Sequence, residues 1–183
     1  MTTNRGKTRE IDEILRHYQI QVKNIIKEKV EIQSLSLKEV VKYAAISLSK
    51  EIAEPYIIED AGLFIDRLKG FPGPYSSYVY KTLGVEGVIT LLAGVHNRKA
   101  EFRSAIAFHS KKTGLKIFEK SIWGEISYKA LGLEGFGFDP IFISAEGDGR
   151  TFAQMSLQEK NKYSHRSKAV KAFAKWYLSS DNT

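Results

Sequence analysis

Apolar residues recur at helical spacing at two places in the first third of the chain. Ile11, Ile14, Leu15 and Tyr18 follow the polar stretch NRGK and predict one helix. Leu37, Val40, Val41, Ala44, Ala45, Leu48 and Ile52 predict a second, amphipathic one. Between them VKNIIKEKVEIQ alternates imperfectly, with the period of a strand. After Pro55, YIIEDAGLFID holds two short apolar runs, read as two strands parted by Glu59, Asp60, Ala61 and Gly62. GFPGPYSS is a Pro/Gly-rich loop, and GVEGVITLLAG a helix stopped by glycine. AEFRSAIAFHS and LKIFEKSIWGEIS flank KKTG as the long strands of a hairpin. SLQE is a capping box, and SHRSKAVKAFAKWYL is an amphipathic last helix. Helices and strands mix throughout, with no internal repeat or linker. The expected fold class is α/β. It is a single layered α/β/α domain over residues 1–183, around a mixed, partly antiparallel twisted sheet with a long hairpin lobe.

Composition narrows the chemistry. With 183 residues, 43% of them hydrophobic, the chain can bury a core as one domain. Lys and Arg number 28 against 21 Asp and Glu, a net charge of +7. That excess favours anionic partners without separating nucleic acid from nucleotides. The absence of cysteine excludes disulfides, thiolate metal sites and a cysteine nucleophile. No apolar run approaches membrane-spanning length, and the polar start MTTNRGKTRE does not read as a signal peptide. A soluble, cytoplasmic protein with no membrane partner is expected.

Four stretches carry residues suited to chemistry. Glu59 and Asp60 lie where the first apolar run ends, and the carboxyl ends of strands in α/β sheets are where ligands bind. A metal or general-base role is open to them, and so is a polar turn between strands. Thr2 to Lys7 (TTNRGK) can offer donors to phosphate at a helix N-terminus, or be an ordinary N-cap; the spacing is not that of the G-x-x-x-x-G-K-[ST] loop. In EKNKYSHR, Lys160, His165 and Arg166 place three potential cations within seven positions, either as donors to a carbonyl or phosphate oxygen or as a solvated basic face. In LEGFGFDPIF, Phe136 and Phe138 flank Gly137, which on a strand points both rings to one face. Such rings fill a core or stack on a base.

Taken in order, these stretches resemble the inosine triphosphate pyrophosphatase family, hydrolases of non-canonical purine nucleoside triphosphates. The [ST]-x-N-x-x-K pattern is met by Thr2, Asn4 and Lys7. The D-[ST]-G-L-type segment appears as EDAGLFID, and the Pro-Gly-Tyr loop as FPGPYSS. GFGFDP matches G-[FY]-G-[FYW]-D-P, and TFAQMSLQEKNKYSHR matches the last block. The resemblance spans nearly the whole chain.

It implies hydrolysis of ITP, dITP and XTP to the monophosphate and pyrophosphate with Mg²⁺, in a homodimer with no stable nucleic-acid partner. By position, Asp60 is the catalytic, metal-binding acid and Glu31 the second metal ligand. Thr2, Thr3, Asn4, Arg5, Gly6 and Lys7 match the phosphate loop. Ala61, Phe136, Gly137, Phe138, Asp139, Lys160, His165 and Arg166 match the other substrate contacts. The chain departs from the family in placing Met1 directly before Thr2, where a hydrophobic strand is usual. It also has Ala61 where many members have Ser or Thr, and Ala44 where many have lysine. Lys42 lies two positions earlier and faces differently on a helix. A basic nucleic-acid-binding module and an inactive relative of the fold are the competing readings.

Overall fold

The computed structural model describes residues 4–27 and 30–180. Thr2 and Thr3, expected in the phosphate loop, lie outside the described residues. The elements, in chain order, are α1 (Arg5–Arg16), α2 (Leu37–Leu48), β1 (Tyr56–Ile65), β2 (Pro72–Gly73), α3 (Ser76–Thr82) and α4 (Gly84–Leu91). They continue with β3 (Lys99–Ser110), β4 (Gly114–Ile126), β5 (Phe142–Ser144), α5 (Leu157–Tyr163) and α6 (His165–Ser180). The strands form one sheet in the order β2-β1-β3-β4-β5. β1 with β2 and β4 with β5 pair antiparallel, and β3 and β4 are the predicted hairpin. This is the α/β class expected from the sequence.

Internal contacts divide the chain into two compact units. The first holds residues up to 60, 104–120 and those from Arg166 onward. Here α1 buries the stripe Ile11, Ile14 and Leu15 against Ile106, Phe108, Val170 and Phe173, as the helical spacing predicts. Asn4 caps α1, its side chain accepting from the Lys7 amide, and Ser36 caps α2 from the Glu39 amide. α2 buries Leu37, Val40, Val41, Ala44, Ala45 and Leu48, and the Tyr56 hydroxyl donates to the Ala45 carbonyl at 2.6 Å. Ala44 therefore packs in the interior while Lys42 is exposed, on a different side of the helix.

The second unit holds residues 61–103 and 121–165. Its core gathers Leu63, Ile65, Phe102, Ile126, Phe138, Phe142 and Phe152. Arg98, buried, ties the end of α4 to the end of β4 by donating to the carbonyls of Leu92, Ile126 and Ser127.

Two sequence expectations are corrected. Residues 20–27 and 30–34 form no strand. Their alternation puts Val22, Ile26 and Val30 in solvent, so the strand period lacks an apolar surface to pack on. YIIEDAGLFI is one unbroken strand, β1, and Glu59 and Asp60 lie in its middle. Its continuity has local causes. Gly62 lets the carbonyl of Gly73 approach where a Cβ would stand 2.2 Å from that oxygen, and the two acids are neutralised by neighbours.

Candidate functional site

In the first unit, charge collects around the middle of β1. Lys7, on the first turn of α1, reaches Glu59 Oε2 at 3.1 Å and Asp60 Oδ1 at 3.2 Å with one ammonium. Arg166, at the start of α6, donates from Nε to Glu59 Oε1 at 2.9 Å and from Nη1 to Glu10. The Ser104 hydroxyl, on β3, donates to Glu59 Oε1 at 2.8 Å. Three carboxylates, Glu10, Glu59 and Asp60, thus face two cations, Lys7 and Arg166, and with all five ionised the group carries one net negative charge.

Burial alone would raise the pKa of Glu59. Arg166, Lys7 and the Ser104 hydroxyl overcome it and hold the carboxyl well below the usual range. Burial likewise works to lower the pKa of Lys7, and the charges of Glu59 and then Asp60 overcome it and raise it. The side chains of Glu10, Glu59 and Arg166 are 2–3% exposed, whereas that of Asp60 is 19% exposed. Asp60 is the carboxylate of this group that solvent reaches.

The second unit gathers the other predicted residues. GFGFDP is a turn entering a 3₁₀ segment, Asp139–Ile141, and not a strand, because Gly135 and Gly137 take φ of 75° and 62°. The turn parts the two rings. Phe138 enters the core edge-on to Tyr80, while Phe136 stays half-buried. Asp139 fastens the turn, its Oδ2 accepting from the Phe136 amide at 2.8 Å and from Lys160 Nζ at 2.6 Å. A Cβ on Gly135 would stand 2.2 Å from that same oxygen. Lys160 Nζ also lies 4.8 Å from the centre of the Phe136 ring and 5.4 Å from that of Phe152. The capping box of Ser156 and Glu159 starts α5 and so sets Lys160 one residue on. His165 is buried, its ring stacked on Phe102 at 4.5 Å and 10°.

Lys7, Asp60 and Arg166 therefore share one cluster, and Phe136, Asp139 and Lys160 another. Asn4 and Arg5 are exposed at the start of α1 with Gly6 half-buried behind them, Ala61 is half-buried on β1, and Gly137 has open space beside it. Glu31 is exposed on the irregular segment after α1. Among the described residues no three His, Asp or Glu side chains group closely enough to hold a metal ion. Glu10 and Ser104 escaped the sequence reading. Glu10 was traceable, because an acid three residues after Lys7 adjoins the apolar stripe of α1. Ser104 gave no signal.

The profile of the Ham1 family matches residues 1–176 of the chain. A dITP/XTP pyrophosphatase of Hyperthermus butylicus is 47% identical over 175 residues, covering 96% of this chain and 91% of its own length. That of Pyrococcus horikoshii is also 47% identical, over 96% of this chain and 94% of its own. Among solved structures, a HAM1 protein from Coxiella burnetii is similar at a TM-score of 0.80 and 25% identity, over 97% of this chain and 96% of its own. A nucleoside-triphosphatase / dITP/XTP pyrophosphatase from Mycobacterium abscessus is similar at a TM-score of 0.72 and 25% identity, over 94% and 95%.

Proposed function

The chain belongs to the Ham1 family, and from that membership and the chemistry of its clusters we propose that it hydrolyses non-canonical purine nucleoside triphosphates. The substrates are ITP, dITP and XTP, the products the monophosphate and pyrophosphate, and the role is to clear such nucleotides from the cytoplasmic pool. One observation carries the reading. A lysine on the first turn of a helix is bonded to Asp60, the solvent-reached carboxylate of a cluster otherwise closed and neutralised. Anions favour helix N-termini, where backbone N–H groups and the dipole meet them. Asn4, Arg5, Gly6 and Lys7, with Thr2 and Thr3 before them, are assigned to the phosphates. Water attacks the α-phosphorus and passes its proton to Asp60. The bond from that phosphorus to the bridging oxygen breaks, and the electron pair leaves with pyrophosphate.

Mg²⁺ is the proposed cofactor. The donor chemistry fits it: carboxylate oxygens with one surplus negative charge suit a hard cation that takes one or two carboxylates and completes its shell with water and phosphate. Asp60 and Glu31 would hold it, and it would supply neutralisation of the triphosphate charge.

The base is assigned to the second cluster. Phe136 offers a ring face beside the clearance at Gly137, and Phe138, Asp139 and Ala61 are assigned to the remaining substrate contacts from the family pattern. Donors at Lys160 and His165 suit the 6-oxygen of inosine and xanthosine. The 6-amino group of adenosine would face them donor to donor, a mismatch that discriminates strongly when buried. The enzyme is proposed to be a homodimer and cytoplasmic; among the described residues no helix is long and apolar enough to cross a membrane.

The test is pyrophosphate release from ITP, XTP, dTTP, ATP and GTP with Mg²⁺, for the wild type and Asp60→Asn. Rapid turnover of ITP and XTP, and its loss by a factor of about 10³ in Asp60→Asn, are expected. Equal rates on ATP and ITP would sink the specificity. No release from any of them, with salt-sensitive binding to DNA or RNA, would favour a nucleic-acid-binding module.

A further inference from the structure

We propose that the turn Thr151–Gln154 positions the base site, and that Thr151 is the residue that holds the loop carrying Phe136 and Asp139. The inference rests on the nucleotide reading above. TFAQ belongs to the last family block, and nothing so far gives it a chemical role. It folds as a 3₁₀ turn over Phe152–Gln154 with Thr151 just before it, and Thr151, Phe152 and Ala153 are all buried. Gln154 Oε1 accepts from the Thr151 amide at 3.0 Å and closes the turn on itself.

The loop it faces, residues 131–140, has no apolar anchor in its outer half. Leu133 is fully exposed, and Gly132, Glu134 and Gly135 are exposed beside it. Such a segment is placed by its polar contacts. The Leu131 amide donates to the Pro140 carbonyl at 2.9 Å, which joins the two ends of the loop. The turn then pins the loop twice. The Thr151 hydroxyl donates to the Leu131 carbonyl at 2.7 Å, and the Ala153 carbonyl accepts from the Glu134 amide at 3.0 Å. Between these bonds lies Gly132, at φ 85°, where a Cβ would run into the Ala153 carbonyl. Backbone meets backbone there, so a shift of the loop along the turn breaks at least one of the two bonds.

The same turn borders the donor side of the pocket. Phe152 packs on Phe142 with ring centres 5.2 Å apart, and its own ring centre lies 5.4 Å from Lys160 Nζ. The spacing of Phe136 and Lys160, on which base selection depends, is thus set by Thr151 through the loop and by Phe152 beside the ammonium. These contacts involve none of the residues assigned to the phosphates.

Steady-state kinetics on ITP and ATP test this, with pyrophosphate as a competing inhibitor and folding followed by thermal melting. Thr151→Val removes the hydroxyl and leaves the Leu131 carbonyl without its donor. It is expected to raise the KM for ITP about 10-fold with kcat within about threefold, because ground state and transition state share the base contacts. The preference for ITP over ATP should fall by about the same factor. The inhibition constant of pyrophosphate should not move. Thr151→Ser keeps the donor and should bring the KM back to within about threefold of wild type. Gly132→Ala acts from the loop side of the same contact and should reproduce the raised KM. Combined with Thr151→Val, its effect should be less than additive, as for residues that share one contact.

Wild-type KM and base preference in folded Thr151→Val and Gly132→Ala would overturn the proposal, and so would fully additive effects. A parallel rise in the KM for ITP and the inhibition constant of pyrophosphate would reduce the turn to general support of the fold. A Thr151→Ser variant as impaired as Thr151→Val would remove the hydroxyl from the account. Should Thr151→Val not fold, Gly132→Ala decides alone, since its change lies in the exposed loop. A wild type that releases no pyrophosphate fails the functional reading itself, a result visible before any substitution.

Discussion

Lys160 illustrates how a single buried charge can shape a site. Its ammonium is enclosed, and Asp139, 2.6 Å away, compensates it with a full opposite charge, while the faces of Phe136 and Phe152 contribute weaker attraction. Asp139 in turn holds the Phe136 amide, so the cation, the acid and the ring form one rigid group. Replacing Lys160 by Met leaves Asp139 buried without its counter-charge, which costs about 3–5 kcal/mol of folding stability. The companion Lys160→Met/Asp139→Asn keeps an acceptor for the Phe136 amide and removes the orphaned charge, so most of that loss should return in urea denaturation. Its KM for ITP should nevertheless stay raised, because the donor proposed for the 6-oxygen is gone. A double variant with wild-type KM would reduce Lys160 to a structural role.

Elements hold these groups in place, and Arg98 shows how much one side chain can fasten. Its three bonds, at 2.6, 3.0 and 2.8 Å, satisfy carbonyls at the ends of α4 and β4. Arg98→Ala strips all three and leaves them facing an apolar interior, a cost of about 3–5 kcal/mol that urea unfolding will read. The KM for ITP should not move. A loss below about 1 kcal/mol would mean that water replaces the guanidinium.

The sequence carried much of this scale. The stripe on α1, the hairpin of β3 and β4 and the capping box before α5 follow from local periodicity and turn chemistry, and the structure contains each. What local pattern cannot carry is a partner distant in the chain. VKNIIKEKVEIQ has a strand's alternation, yet no strand or apolar sheet takes its Val22 and Ile26. YIIEDAGLFI looked interrupted by two acids because the cations that let a strand bury them, Lys7 and Arg166, lie far away in sequence. Phe136 and Phe138 were parted by positive φ at the glycines, which spacing alone does not show. The family blocks contain Lys7, Asp60 and Arg166, which share one cluster, and Phe136, Asp139 and Lys160, which share another. They did not tell that Arg166 faces Glu10 and Glu59.

For the molecule as a whole, acid sensitivity should follow from carboxylates whose folded pKa is depressed. Arg150 is the exposed example. It bonds Asp148 at 2.8 Å and Glu159 at 2.7 Å, and Glu159 also accepts from the Ser156 amide. Arg150 chiefly, with help from Ser156, brings Glu159 from its ordinary 4.5 to about 2, and Arg150 also lowers Asp148. A carboxylate with a depressed folded pKa binds its proton more readily when unfolded. Its stabilisation is therefore fully present above the unfolded value and is lost as pH falls towards the folded one. Urea midpoints of the wild type and Arg150→Ala should accordingly differ most at pH 7. The gap should narrow from about pH 5 downward and close near pH 2. Some depression of Glu159 survives in the variant through Ser156, so its own acid limb keeps a shallow slope. High salt should shrink the gap at pH 7, because these groups are open to solvent and ions screen them. A gap that stayed constant from pH 7 to pH 3 would show that Arg150 contributes through packing of its stem, independent of the two acids.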